Sequence, residues 1–137
     1  MLLAGKHIFV VEDDPTNLAI ISTILRQHGA TVSFDPWGSA TLDKIEIIKK
    51  EIDLIVLDLM FQDQVTGYDI FDAMQAVPEL AHIPIVLVTS SDPDIEMNKA
   101  RAKKFSGYIS KPINRMRFPK QIAAILEGQE VWEDDIE

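Results

Sequence analysis

Five residues with chemistry to offer each follow a short apolar run. Glu12 and Asp13 come after Ile8-Phe9-Val10-Val11, Asp58 after Leu54-Ile55-Val56-Leu57, Thr89 after Ile85-Val86-Leu87-Val88, and Lys111 just past Tyr108-Ile109. Three carboxylates converging on one crevice repel each other unless positive charge sits among them. A hard divalent cation taking carboxylate oxygens, a backbone carbonyl and waters meets that need, and Mg²⁺ suits a site with few protein ligands. Lys111 adds a second positive charge and Thr89 a hydroxyl donor, more than a metal alone requires. Such a set fits a dianionic tetrahedral group such as phosphoryl, and a carboxylate among them can be the nucleophile, forming an aspartyl phosphate. Taken singly, each residue has a plainer reading. An Asp after a strand is a turn or a helix cap, Glu12-Asp13-Asp14 is a helix start, Thr89 forms a turn, and Lys111 is surface. Their joint position at the ends of apolar runs carries the chemical reading.

That position depends on the elements around it. The apolar runs are short and rich in β-branched residues, as strands buried on both faces are. Thr31-Val32-Ser33-Phe34 is a weaker, alternating run, followed by Asp35-Pro36-Trp37 as a turn. Helical segments lie between. Asp14 caps the first with Pro15 at its first position, Leu18, Ile21 and Leu25 form its stripe, and His28-Gly29 closes it. The second runs from about Ser39 to Lys50 with Leu42, Ile45 and Ile48 on one face, and the third from Tyr68 to Ala76. The fourth starts at Pro93 behind Asp92, and the fifth runs from near Asn114 to about Glu127. Strand and helix alternate five times, which predicts an α/β domain with a five-stranded parallel sheet and helices on both faces. In an open sheet of this kind ligands bind beyond the carboxyl ends of the strands, where the five residues fall.

Composition narrows the function classes. At 137 residues, 47% of them apolar, the chain suits one domain, expected over residues 1–127. Cysteine is absent, which excludes disulfides, thiolate metal sites and cysteine nucleophiles. The net charge of −9 repels phosphate backbones and anionic membrane surfaces, so neither direct nucleic-acid nor membrane binding is expected. No apolar run is long enough to span a bilayer and no basic leader precedes an apolar stretch, so a cytoplasmic location is expected. The histidines His7, His28 and His82 are scattered and point to no metal cluster. Residues 128–137 hold five acids and no base and read as a solvated acidic tail, in which Trp132 could serve an interaction.

With those residues in view, the chain resembles a response-regulator receiver domain of two-component signalling. The matches run in order: Val11-Glu12-Asp13-Asp14, Leu57-Asp58, Val88-Thr89-Ser90 and Gly107-Tyr108-Ile109-Ser110-Lys111-Pro112. The resemblance covers about residues 6–127 and implies the flavodoxin-like strand order 2-1-3-4-5. It implies Asp58 as phosphoacceptor, with Mg²⁺ held by Asp13, Asp58 and the Met60 backbone carbonyl, and by Glu12 through water. It further implies Thr89 and Lys111 as phosphoryl-binding groups, Thr89 and Tyr108 as the switch pair, and a cis peptide before Pro112. The implied partners are a histidine kinase or histidine phosphotransfer protein, docking near Thr16, Asn17, Leu18 and the Ile113 loop, and a downstream protein target. The oligomeric state stays open.

Two departures from the family pattern stand out. Gly67 lies nine positions after Asp58 instead of eight, with no proline between, so the loop through Gln62 and Asp63 is expected to be one residue longer. Lys104 sits where the family often has glycine, in a basic patch with Arg101 and Lys103, which reads as a solvated helix end. With nothing basic after residue 127, a single-domain receiver acting by protein–protein contact is the expectation. Two alternatives remain open: a pseudo-receiver that only binds partners or a small ligand such as flavin, and an aspartyl-nucleophile phosphatase. Against the second, the position two residues after Asp58, where such enzymes usually carry an acid/base carboxylate, is Met60.

Overall fold

The computed structural model describes residues 1–37, 40–61 and 64–132. Its elements run β1 (His7–Val11), α1 (Pro15–Gln27), β2 (Thr31–Asp35), α2 (Thr41–Ile48), a 3₁₀ turn (Lys49–Glu51), β3 (Leu54–Leu57), α3 (Gly67–Gln75), β4 (Ile85–Thr89), α4 (Pro93–Ala102), β5 (Gly107–Ser110), α5 (Phe118–Leu126) and β6 (Val131–Trp132). All strand pairs are parallel, and the sheet order is β2-β1-β3-β4-β5-β6.

Alternation along the buried strands divides the core in two. Phe9, Val11, Ile55, Leu57, Ile85, Leu87 and Tyr108 pack with Ile45 of α2, Ile70, Phe71 and Met74 of α3, and Ala100 of α4. The intervening residues Ile8, Val10, Leu54, Val56, Val86, Val88 and Ile109 pack with Ile21, Ile24 and Leu25 of α1 and Phe118, Ile122 and Ile125 of α5. Every residue of β3, β4 and β5 is buried, as continuous apolar strands under helices on both faces require. Burying each large aliphatic or aromatic side chain contributes about 1.5–3 kcal/mol, which holds the strand ends in a common plane.

The expected five-stranded sheet is corrected to six strands. Val131 and Trp132, placed in the solvated tail by composition, pair with Gly107 and Tyr108 of β5. Charge density dominates that tail, but β5 would otherwise be a bare edge with unpaired backbone groups. Glycine at position 107 lets the new strand approach, because a Cβ there would lie 2.5 Å from the Val131 carbonyl oxygen. Residues 133–137 lie outside the described residues, as does Ser39, the expected start of the second helix. The fifth helix begins at Phe118 and not near Asn114. The Asn114 side chain instead accepts the backbone N–H groups of Met116 and Arg117, both at 2.9 Å, and folds those residues into a turn.

Helix ends follow their local chemistry. Asp14 caps α1 by accepting the Thr16 N–H at 3.0 Å, and Asp92 caps α4 by accepting the Asp94 N–H at 2.9 Å. Three helices close with the same paired bonds: Gly29 to Arg26 and Ala30 to Leu25 after α1, Lys104 to Arg101 and Phe105 to Ala100 after α4, and Gly128 to Ile125 and Gln129 to Ala124 after α5. The closing residue takes a positive φ each time, 97° at Gly29, 94° at Gly128 and 76° at Lys104. A side chain in that region is strained, and Lys104 alone of the three carries one. Replacing it with glycine, Lys104→Gly, is therefore expected to raise stability by about 0.5–1 kcal/mol, read as a higher urea midpoint with an unchanged slope.

Candidate functional site

Strands β1, β3, β4 and β5 all end at one edge of the sheet, and the register sets how closely their ends meet. Val11 pairs with Leu57, so Glu12 and Asp58 follow adjacent positions on neighbouring strands. Thr89 pairs with Ser110, which puts Lys111 one residue beyond the end of β4. The backbone N–H of Lys111 donates to the Thr89 carbonyl at 2.8 Å and ties the two strand ends together. The Lys111–Pro112 peptide is cis.

The side chains converge accordingly. Lys111 Nζ donates to Glu12 Oε1 at 2.9 Å and to Asp58 Oδ2 at 3.2 Å. Asp58 Oδ1 accepts the N–H of Leu59 at 2.7 Å, and Glu12 Oε2 accepts that of Asp14 at 3.1 Å. Glu12, Asp13 and Asp58 each offer an oxygen, and these lie within 4.8 Å of one another. Glu12 is only 2% exposed, whereas the Asp58 and Lys111 side chains each retain 12%. Asp58 is thus reachable from solvent while its neighbour is sealed. The donor set is hard oxygen only, from three acids, which fits Mg²⁺ and does not fit a soft metal.

Electrostatics reflect this crowding. Burial pushes the Glu12 carboxyl above its usual range; the Lys111 hydrogen bond pulls the other way, and the negative charge of Asp58 adds to the rise. Burial alone would lower the Lys111 ammonium, but its bond to Glu12 and the charges of Asp58 and Glu12 outweigh it, so the group sits above the ordinary lysine value. Lys111 therefore stays charged throughout the physiological range.

Thr89 is 1% exposed, and its hydroxyl is engaged with Ser91: it accepts the Ser91 N–H at 3.2 Å and lies 3.2 Å from the Ser91 hydroxyl. Tyr108, fully buried, donates its hydroxyl to the Ser91 carbonyl at 3.0 Å. Ser91 thus joins the two expected switch residues, a role its sequence position as a small residue after Thr89 did not signal. Gly67 is likewise fixed by contacts that its spacing from Asp58 does not signal. A Cβ there would overlap the Asp58 carbonyl oxygen, and its N–H donates to Leu59 at 2.6 Å. The longer loop is held across its base, where Met60 bridges Thr66 and the Phe61 N–H donates to Val65 at 3.1 Å. Gln62 and Asp63 lie outside the described residues. Met60 is 60% exposed.

A parallel α/β sheet with carboxylates, a hydroxyl and a lysine at the ends of its strands is the arrangement of a receiver-type domain. The chain belongs to the response regulator receiver domain family, whose sequence model matches residues 8–123. It is 25% identical over 126 residues to the heme response regulator HssR of Staphylococcus epidermidis, a match covering 92% of this chain but 54% of that protein, so the chain spans about half its length. It is 27% identical over 121 residues to the polar-differentiation response regulator DivK of Brucella ovis, covering 88% of this chain and 96% of DivK. Among solved structures, the receiver domain of the sensor histidine kinase PA1611 from Pseudomonas aeruginosa, which has a magnesium ion coordinated in its active site cleft, superposes with a TM-score of 0.73 at 23% identity, covering 92% of this chain and 100% of that one.

The raised pKa of Lys111 fixes a pH dependence. A lysine held above its unfolded value contributes stability that is fully present below about pH 10.4 and is lost as pH rises through the folded value. Tyr68, raised by burial and by its hydrogen bond to Glu96, loses stability in the same alkaline direction. Comparison with Lys111→Met separates the two. Denaturant titrations of the metal-free protein from neutral to strongly alkaline pH are expected to show a steeper loss in wild type than in that variant.

Proposed function

We propose that the chain is a phosphoacceptor module of a two-component phosphorelay, taking phosphoryl on Asp58 from a histidine kinase or histidine phosphotransfer protein. The observation that carries this reading is the convergence of Glu12, Asp13 and Asp58 within 4.8 Å around the Lys111 ammonium. Asp13 and Asp58 would hold Mg²⁺ through carboxylate oxygens, Met60 through its backbone carbonyl and Glu12 through water. When bound, the cation supplies charge neutralisation for the phosphoryl oxygens and the carboxylates.

The transfer itself is a displacement. A carboxylate oxygen of Asp58 forms a bond to phosphorus as the bond from phosphorus to the partner's imidazole nitrogen breaks, and the imidazole leaves with the electron pair. Lys111, already 3.2 Å from Asp58 Oδ2, follows the charge onto the phosphoryl group. Thr89 gives up its bonds with Ser91 and donates its hydroxyl to a phosphoryl oxygen, and Tyr108, held to Ser91, responds to that change. This is a two-state element biased by new charge-assisted hydrogen bonds.

The docking face adjoins the site. Asn17, Ile20 and Ile21 of α1 and Lys111, Pro112 and Ile113 line a cleft of about 130 Å³, and Ile20 is 44% exposed beside it. An apolar knob on a partner helix would fit there while its histidine reaches Asp58. Output passes to a downstream protein. No helix among the described residues is long and apolar enough to cross a membrane, and cytoplasmic action accords with that and with the acidic surface.

Two tests follow from this reading. Incubation with acetyl phosphate and Mg²⁺ is expected to add one phosphoryl group by intact mass, and Asp58→Asn is expected to abolish it; label persisting in that variant would move the acceptor elsewhere. Ile20→Glu is expected to slow transfer from a phosphohistidine partner at least about tenfold, while leaving uptake from acetyl phosphate unchanged, because only the former needs the apolar cleft. Parallel rate measurements with the two donors check it.

A further inference from the structure

Strand β6 is bonded to β5, the strand that carries the switch residue Tyr108. In register, Val131 faces Gly107 and Trp132 faces Tyr108. The contact is fitted on both sides: position 107 has room for the Val131 carbonyl only as glycine, and the Val131 N–H donates to the Ser106 carbonyl at 3.2 Å. The Trp132 ring is half-buried against the core shared by α2, α3 and α4, with its Nε1 donating to Glu130 at 2.9 Å. Arg101, in the last turn of α4, lies 4.7 Å above the ring. One tryptophan thus links the β5 edge to the end of α4.

From Tyr108 the connection continues inward. Its hydroxyl is bonded to the Ser91 carbonyl, and Ser91 in turn is bonded to the Thr89 hydroxyl. Trp132 and Thr89 are therefore joined through Tyr108 and Ser91.

We propose that β6 is a latch that holds Tyr108 and the end of α4 in the resting arrangement, and that phosphorylation of Asp58 loosens it. The trigger rests on the phosphoacceptor reading above, whereas the link from β6 to Thr89 rests on the contacts alone. A Thr89 hydroxyl drawn to a phosphoryl oxygen leaves Ser91, so the fixed spacing between Ser91 and Tyr108 is lost. Movement of Tyr108 is felt at once by its ladder partner Trp132 and, through the ring, by Arg101. Release would also bare the Gly107–Tyr108 edge, which another strand could then pair with. Linkage makes the effect mutual: if phosphoryl weakens the latch, removal of the latch favours phosphoryl.

The test uses Trp132→Ala, Trp132→Phe and a chain ending at Gln129, each compared with the full chain by amide NMR, hydrogen exchange and intact mass. Without any donor, the Ala variant and the shortened chain are expected to shift the amide signals of Ser91 and Thr89, while Trp132→Phe, which keeps a ring for Arg101, stays close to wild type. With acetyl phosphate and Mg²⁺, the same two are expected to hold an about fivefold higher ratio of phosphorylated to unphosphorylated chain, and the Val131 amide of phosphorylated wild type to exchange about tenfold faster than before. Unmoved Ser91 and Thr89 signals in a folded shortened chain would overturn the latch. So would a Val131 amide equally protected in a chain whose mass shows the phosphoryl group. If wild type takes up no phosphoryl while the variants still move Ser91, the link is supported and the phosphoacceptor reading falls.

Discussion

The site is built on a charge balance at the edge of a parallel sheet. Glu12, Asp13 and Asp58 project from adjoining strand ends, and the Lys111 ammonium reaches two of them at 2.9 and 3.2 Å. With Glu12 almost fully buried, its charge has little water to screen it, and an unpaired carboxylate in that setting would cost several kcal/mol. Lys111 supplies the compensation in the resting protein. The same crowding keeps Asp58, whose side chain is 12% exposed, close to positive charge.

That balance holds only because the apolar strands are anchored on both faces. Leu57, Leu87 and Tyr108 pack on one side of the sheet and Val10, Val56 and Val88 on the other, so the strand ends cannot slide without breaking both cores. The loop after Asp58 adds a further constraint. Gly67 lies directly against the Asp58 carbonyl, and the bridge between Met60 and Thr66 ties the two ends of the loop together. The altered length does not displace Asp58 from its neighbours.

Much of this was legible in the chain. Apolar runs ending in Glu12, Asp58, Thr89 and Lys111 announce strands that share an edge, and Asp14-Pro15 and His28-Gly29 mark the bounds of α1 because capping is local chemistry. Other features had no local signal. The fifth helix starts at Phe118 after a turn in which the Asn114 side chain accepts two backbone N–H groups, a feature that a stripe of apolar residues does not reveal. Ser91 looks like an unremarkable small residue until Thr89 and Tyr108 are seen to meet on it. Lys104 carries no mark of strain in one dimension, although its place after α4 is the same as that of Gly29 after α1.

Residue types, their order and the strand and helix periods were enough to determine the α/β class, the Asp14 and Asp92 caps and the set of acids, hydroxyl and lysine that can do chemistry. These depend on backbone geometry and burial, which repeat along the chain at fixed spacings. Only the tertiary structure decided which carboxylates Lys111 joins, that Ser91 connects Thr89 to Tyr108, and that Val131 and Trp132 form a sixth strand. Those outcomes turn on contacts between distant segments, such as a glycine at 107 leaving room for the Val131 carbonyl, and no local pattern of charge or hydropathy encodes such a fit.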